Sequence, residues 1–265
     1  MARKAQRAQM VLPGPNDAIR IVPLHVPPSV HAPAPMVAAA PPPKLTYRGG
    51  LLLSAVQVFT VFWGSAWGTQ QQKSLVSSLN KFFTYILKSS LMKQMGEYKV
   101  AQYPIGNGKF VGSTTVTTPA PAHSVSDTAI RHMLQQEIST NAKFPKPTPN
   151  MLYFVYLPPG VVVVQGGSKS CQAFCGYHDN INGQIFYAVM PYPNCQGCLG
   201  GLNTLDALTS TSSHELCEAI TDPIPGQGWY DDVNGEIGDI CAWKSKKIGA
   251  YEVQLEWSNK AKKCV

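Results

Sequence analysis

Beyond about residue 50 the apolar positions of the chain fall into two rhythms. "GGLLLSAVQVFTVFWG" is an almost unbroken apolar run rich in β-branched and aromatic residues, and it predicts a buried strand over about 51 to 63. In "TQQQKSLVSSLNKFFTYILKSSLM", Leu75, Leu79, Phe82, Phe83, Ile86 and Leu87 recur at helical spacing, which predicts an amphipathic helix. "FVGSTTVTT" is a short strand. "SVSDTAIRHMLQQEIST" is a helix with Ile130, Leu134 and Ile138 on one face and Ser126 or Asp127 as N-cap. "NMLYFVYLPPGVVVVQG" is strand interrupted at Pro158, Pro159 and Gly160, and "QIFYAVMPYP" is another strand.

"LNTLDALTSTSSHELCEAI" predicts a helix that stops at "TDP", because the residue before a proline is pushed out of helical geometry. The last strand, "YEVQLEWS", alternates Val253, Leu255 and Trp257 against Glu252, Gln254 and Glu256. Strands and helices alternate, so the expected class is α/β or α+β. We expect a single mixed β-sheet with flanking helices in one domain over residues 45 to 265, compatible with a zincin-like core.

Composition changes the picture mainly at the start. The chain has 22 prolines, and those of "VLPGPND" and "VPLHVPPSVHAPAPMVAAAPPPK" fall before Lys44. Proline lacks the N–H and fixes φ, so residues 1 to 44 read as a flexible, partly extended basic leader. The net charge of +7 is concentrated there too: Arg3, Lys4, Arg7, Arg20, Lys44 and Arg48 face only Asp17, leaving 16 basic and 14 acidic residues in the rest. A nearly balanced globular part with no basic, aromatic-interleaved patch argues against specific nucleic-acid binding. No stretch reaches the length of a membrane span. "MARKAQRAQMVLPGPND" lacks the apolar run of a secretory signal, which leaves a cytoplasmic location open.

The chemistry gathers in "TSTSSHELCEAITDP". His214 and Glu218 lie four apart, on one face of a helix, and Glu215 sits where the general base of an H-E-x-x-H metalloprotease stands. The fifth position is Glu rather than His, so this is an H-E-x-x-E pattern. Ser212-x-x-Glu215 equally fits a capping box, which would leave His214 and Glu218 at an exposed helix start. The loop that follows carries Asp222, Asp231, Asp232, Glu236 and Asp239, and "GWYDDVNGEIGDIC" holds no basic residue. Carboxylates crowded without cationic side chains repel, and a bound cation relieves them.

The expected ligands are therefore His214, Glu218 and Asp239, with Glu236, Asp222 and His178 (in the "CGYHDN" loop) as rivals, and Glu215 as the catalytic base. One imidazole with carboxylates suits zinc; an all-oxygen loop would suit calcium. The reaction would be metal-assisted hydrolysis, of a peptide for instance, with "YAVMPYP" as the sheet-edge strand beside which an extended substrate lies.

All seven cysteines lie between 171 and 264. Cys171-x3-Cys175 and Cys195-x2-Cys198 are spaced either for a four-cysteine zinc site or for disulfides, with Cys241 and Cys264 as a further pair and Cys217 as the odd, buried thiol.

The motifs "YRGGLLLSAVQVFTVFWGSAW", "FCGYHD", "NCQGC", "SSHELCEAITDPIPGQGWYDD", "GEIGDICAW" and "VQLEWSNKAKKC", in that order, resemble the phosphate-induced protein 1 or Exordium-like family of plant cell-wall proteins and their bacterial relatives. The resemblance runs from about Tyr47 to Cys264. It implies an extracellular or cell-envelope protein without a settled activity, acting on or binding a peptide or cell-wall component. It adds Trp229 and Tyr230 as substrate-binding candidates beside His214, Glu215, Glu218, Glu236, Gly238 and Asp239. The chain departs from the plant pattern in its start and in Cys217, where a small residue is usual. A metal-dependent hydrolase and a non-catalytic binding or signalling protein with a structural cation are the two functions expected.

Overall fold

The computed structural model describes residues 21–25 and 42–265. Its centre is a six-stranded mixed sheet. In chain order the strands are β1 (Ile21–Pro23), β2 (Gln57–Trp63), β3 (Lys109–Val116), β4 (Met151–Tyr156), β5 (Phe174–Ile181) and β6 (Ile185–Met190). They lie side by side as β1-β5-β6-β4-β2-β3. β6, β4, β2 and β3 run parallel to one another, while β5 is antiparallel to β6 and β1 to β5. The β5–β6 hairpin turns through Asn182 and Gly183, both at positive φ, the geometry that Asn-Gly pairs favour.

Three long helices cover the sheet: α1 (Gln70–Ile86), α2 (Asp127–Thr140) and α3 (Thr204–Thr221). Alternate residues of each strand face opposite layers, as the period of two requires. Val58, Phe62, Phe154 and Tyr156 join Leu79, Phe82 and Phe83 of α1 and Leu216 and Ile220 of α3 in one core. Phe59, Val61, Tyr153 and Val155 join Ile130, Met133 and Leu134 of α2 in the other. Burial on both faces explains why β2, β4 and β6 read as continuous apolar runs. The α/β class with one mixed sheet and flanking helices is as expected.

Three local expectations are corrected. "YAVMPYP" is not an edge: β6 is hydrogen-bonded on both sides, by β5 and β4. The capping box is not used, because α3 begins at Thr204 with Asn203 as N-cap, its side chain accepting from Asp206 N at 2.9 Å. Ser212 and Glu215 thus sit in the middle of the helix and are fully buried. Within the expected leader, Ile21–Pro23 pairs with β5 as the edge strand and buries Val22. An apolar triplet of that length carries no period to announce it. Residues 1–20 and 26–41 lie outside the described residues.

A hairpin of β7 (Ser245–Ile248) and β8 (Tyr251–Gln254) packs on α3. Three disulfides, Cys171–Cys195, Cys175–Cys198 and Cys241–Cys264, resolve the cysteine alternatives, and Cys217 is the buried free thiol. The first two tie the start of β5 to the turn before α3. The third ties the acidic loop to the C-terminus. No helix among the described residues is long and apolar enough to cross a membrane.

Candidate metal centre

α3 is buried along nearly its whole length after Leu205, and the small residues at 209 to 213 make that possible. Ser213 Oγ donates to the Ser210 carbonyl and accepts from Gln254 N, so its hydroxyl is satisfied while β8 lies close. Gly176 of β5 lets the helix approach the sheet: a Cβ there would stand 2.8 Å from Thr211 Cγ2 and 3.1 Å from Glu215 Oε1. The polar face of α3 is therefore pressed between β5, β8 and the acidic loop. His214, Glu215 and Glu218 are all fully buried.

Asp222 ends the helix and folds the chain back. Its carboxylate accepts from Gly226 N at 2.6 Å and Gln227 N at 3.0 Å, and also from Gly228 N. The loop then returns over α3. Asp239 N donates to Glu218 Oε1 at 3.1 Å, and Asp239 Oδ2 accepts from Glu236 N at 2.9 Å. Gly238 brings the loop against the two ligand side chains, since a Cβ there would lie 2.8 Å from His214 Nδ1 and 2.9 Å from Glu218 Oε1.

Two imidazoles meet this group of acids. His214 Nε2 lies 2.9 Å from Glu218 Oε1 and 3.9 Å from Asp239 Oδ1. His178 does not sit in a loop; it comes from β5, with Nδ1 3.2 Å from Glu215 Oε2 and 3.5 Å from Glu218 Oε2. Each ring spends its other nitrogen on a neutral acceptor: His214 Nδ1 on Gln254 Oε1 at 3.0 Å, His178 Nε2 on the Asp222 carbonyl at 3.1 Å. An oxygen acceptor needs the N–H, so the nitrogen facing the carboxylates either carries a second proton or offers its lone pair to a cation. Metal-bound histidines are commonly held this way.

The donors fall into two triads whose ligand atoms lie within 4.8 Å of one another: His214, Glu218 and Asp239; and His178, Glu215 and Glu218. His214 Nε2, Glu215 Oε1, Glu218 Oε2 and both oxygens of Glu236 are buried without a hydrogen-bond partner. Among the described residues no lysine or arginine pairs with these acids. An orphaned buried carboxylate oxygen costs on the order of 1–3 kcal/mol or more, which a cation among them offsets.

With only the imidazoles as counter-charges the acids divide. Burial raises Glu218, but His214 and His178 outweigh it and bring it down to about 2. Burial wins at Glu215, raised to about 7. Glu236 and Asp239 are pushed well up by burial and by Glu218. For His178 burial opposes the charge, yet Glu215 and Glu218 carry it up to about 10.

All three expected ligands, His214, Glu218 and Asp239, come together, and His178 joins them. Glu215 stands among the candidate ligands as well as in the base position. Glu236 and Asp222 fall outside both triads: Glu236 lies behind the His178 ring, its Oε1 3.5 Å from Nε2, and Asp222 is occupied by its loop.

Trp229 and Tyr230 are held in packing. Trp229 Nε1 donates to the Tyr98 carbonyl, its ring lies against Tyr47 and Tyr98, and Tyr230 sits under the Arg48 guanidinium. Gln254 and Glu256 carry no mark of a site in the sequence. Gln254 orients His214; Glu256 is fully buried with both oxygens unpartnered, and burial raises its pKa well above the ordinary value. Their place opposite Val253 and Trp257 made them look like an outward face. No protein-family model, no curated protein and no solved structure matches this chain.

Proposed function

We propose that the chain is a divalent-cation-binding protein of an oxidising, extracellular or cell-envelope compartment, whose buried histidine–carboxylate centre locks α3, the acidic loop and β8 together. One observation carries the reading. His214 is completely buried, gives one nitrogen to Gln254, and turns the other, without a hydrogen bond, toward Glu218 and Asp239. That is how a ligand imidazole is held. An imidazole with carboxylates suits zinc better than calcium. The three disulfides are compatible with export, and the motif order supports kinship with the Exordium-like proteins.

A metal-dependent hydrolase is the second reading. Glu215, at about 7, has the affinity for protons of a general base. Hydrolysis also needs an open position on the ion and a route for substrate. Every donor but the partly buried Asp239 is shut away from solvent, and so narrow an opening favours a closed, structural centre.

Zinc-loaded protein separates the readings. A closed centre retains zinc through desalting and shows no turnover of peptide substrates in wild type or Glu215→Gln. A hydrolase shows turnover that Glu215→Gln abolishes. Protein that retains no divalent ion contradicts both.

A further inference from the structure

The carboxylate of Glu218 faces two imidazoles with two different oxygens. Oε1 lies 2.9 Å from His214 Nε2, and Oε2 lies 3.5 Å from His178 Nδ1. Donors that share a tetrahedral ion at about 2.1 Å stand roughly 3.4 Å from one another. The separations within each triad bracket that value: 2.9 and 3.9 Å around His214, and 3.2 and 3.5 Å around His178. Each triad has its own imidazole and its own further carboxylate, Asp239 for one and Glu215 for the other. A single ion placed between His214 and Asp239 would leave His178 Nδ1 paired with Glu215 Oε2 at 3.2 Å, and Glu215 Oε1 and Glu218 Oε2 buried beside it with no hydrogen-bond partner.

We infer that the centre takes two first-row divalent cations, zinc foremost, bridged by the Glu218 carboxylate, with His178 and Glu215 forming the second position. The inference rests on the cation-binding reading above and extends it. Bridged pairs of this kind stand about 3.5–4 Å apart. Each triad leads with an imidazole nitrogen, which suits zinc and related ions; calcium asks for about six to eight oxygens and is poorly served by either. The hydrogen bonds behind the two rings reinforce the division. The Asp222 carbonyl, at the end of α3, fixes the His178 ring for the second position, while Gln254 on β8 fixes His214 for the first. The two ions would therefore bind β5 to α3 and α3 to the acidic loop.

The test uses the full chain loaded with zinc, desalted and measured by elemental analysis beside His178→Gln and Asp239→Asn, with wild type loaded with manganese(II) for electron paramagnetic resonance. Wild type is expected to hold about two zinc ions and each variant about one, and two manganese ions are expected to show exchange coupling. About one zinc in wild type, unchanged by His178→Gln, with manganese giving the isolated-ion signal, overturns the second position and leaves the first. No retained metal ends both. Where a variant does not fold, the wild-type resonance signal alone decides between one ion and two.

Discussion

Gln254 holds His214 in place from a different element: its Oε1 meets the ring Nδ1 at 3.0 Å while its Nε2 donates to the Gly238 carbonyl at 2.9 Å. One amide thereby orients the imidazole and pins the loop that carries Asp239. Replacing it with an apolar side chain of similar length frees the ring to rotate without removing a ligand. Gln254→Leu is expected to weaken zinc binding by about 10–100-fold, measured by competition with a chelating indicator. Unchanged affinity would show that the ring needs no such support.

Gly238 tests how closely the loop must approach. Its φ of −81° is open to any residue, so the objection to a side chain is purely steric. Gly238→Ala puts a methyl group against His214 and Glu218, and the loop has to retreat. We expect a loss of about 1–3 kcal/mol in denaturant unfolding together with weakened zinc binding. Gly68→Ala, with nothing within 4 Å of the added carbon, is the control and should stay within about 0.5 kcal/mol. Equal behaviour of the two variants would mean that the loop is not held against the helix.

What the sequence announced and what it hid differ for physical reasons. The long strands and helices were legible because burial on both faces or on one stripe leaves a period in the residues. The His214–Glu218 pair was legible because i,i+4 spacing is a property of the helix alone. His178 was visible only as a histidine near a cysteine, since its partners lie 37 and 40 residues away and meet it through β5 packing on α3. Gln254 and Glu256 were hidden because alternation marks one face of a strand as apolar but does not say that the polar face stays in water. Here the second face lies against α3 and the loop, so both residues are buried. The capping-box pattern at Ser212 misled because Asn203, nine residues earlier, offered the working cap.

The pH dependence of stability should change sign with the ion. In the stripped protein His178, despite burial, is carried by Glu215 and Glu218 from 6.5 to about 10, and burial raises Glu215 from 4.5 to about 7. Both hold protons more tightly when folded than when unfolded. Their contributions are therefore present at low pH and lost as pH rises, through about 7 for Glu215 and about 10 for His178. Glu218, held down at about 2 by His214 and His178 against burial, contributes above 4.5 and loses that as pH falls toward 2. Stripped protein should thus lose stability between about pH 6.5 and 10. Zinc-loaded protein should instead gain between about pH 5 and 7, as protons stop competing for the ligands. Urea midpoints across that range, with and without zinc, would contradict the assignment if the two curves ran parallel.

The most direct measurement is calorimetry of the native protein before and after chelation, with elemental analysis of each sample. A cation at His214, Glu218 and Asp239 predicts bound divalent metal in the native sample, a melting temperature roughly 5–10 °C lower after stripping, and recovery on adding zinc. A metal-free native protein that melts at the same temperature with chelator and with zinc would contradict it.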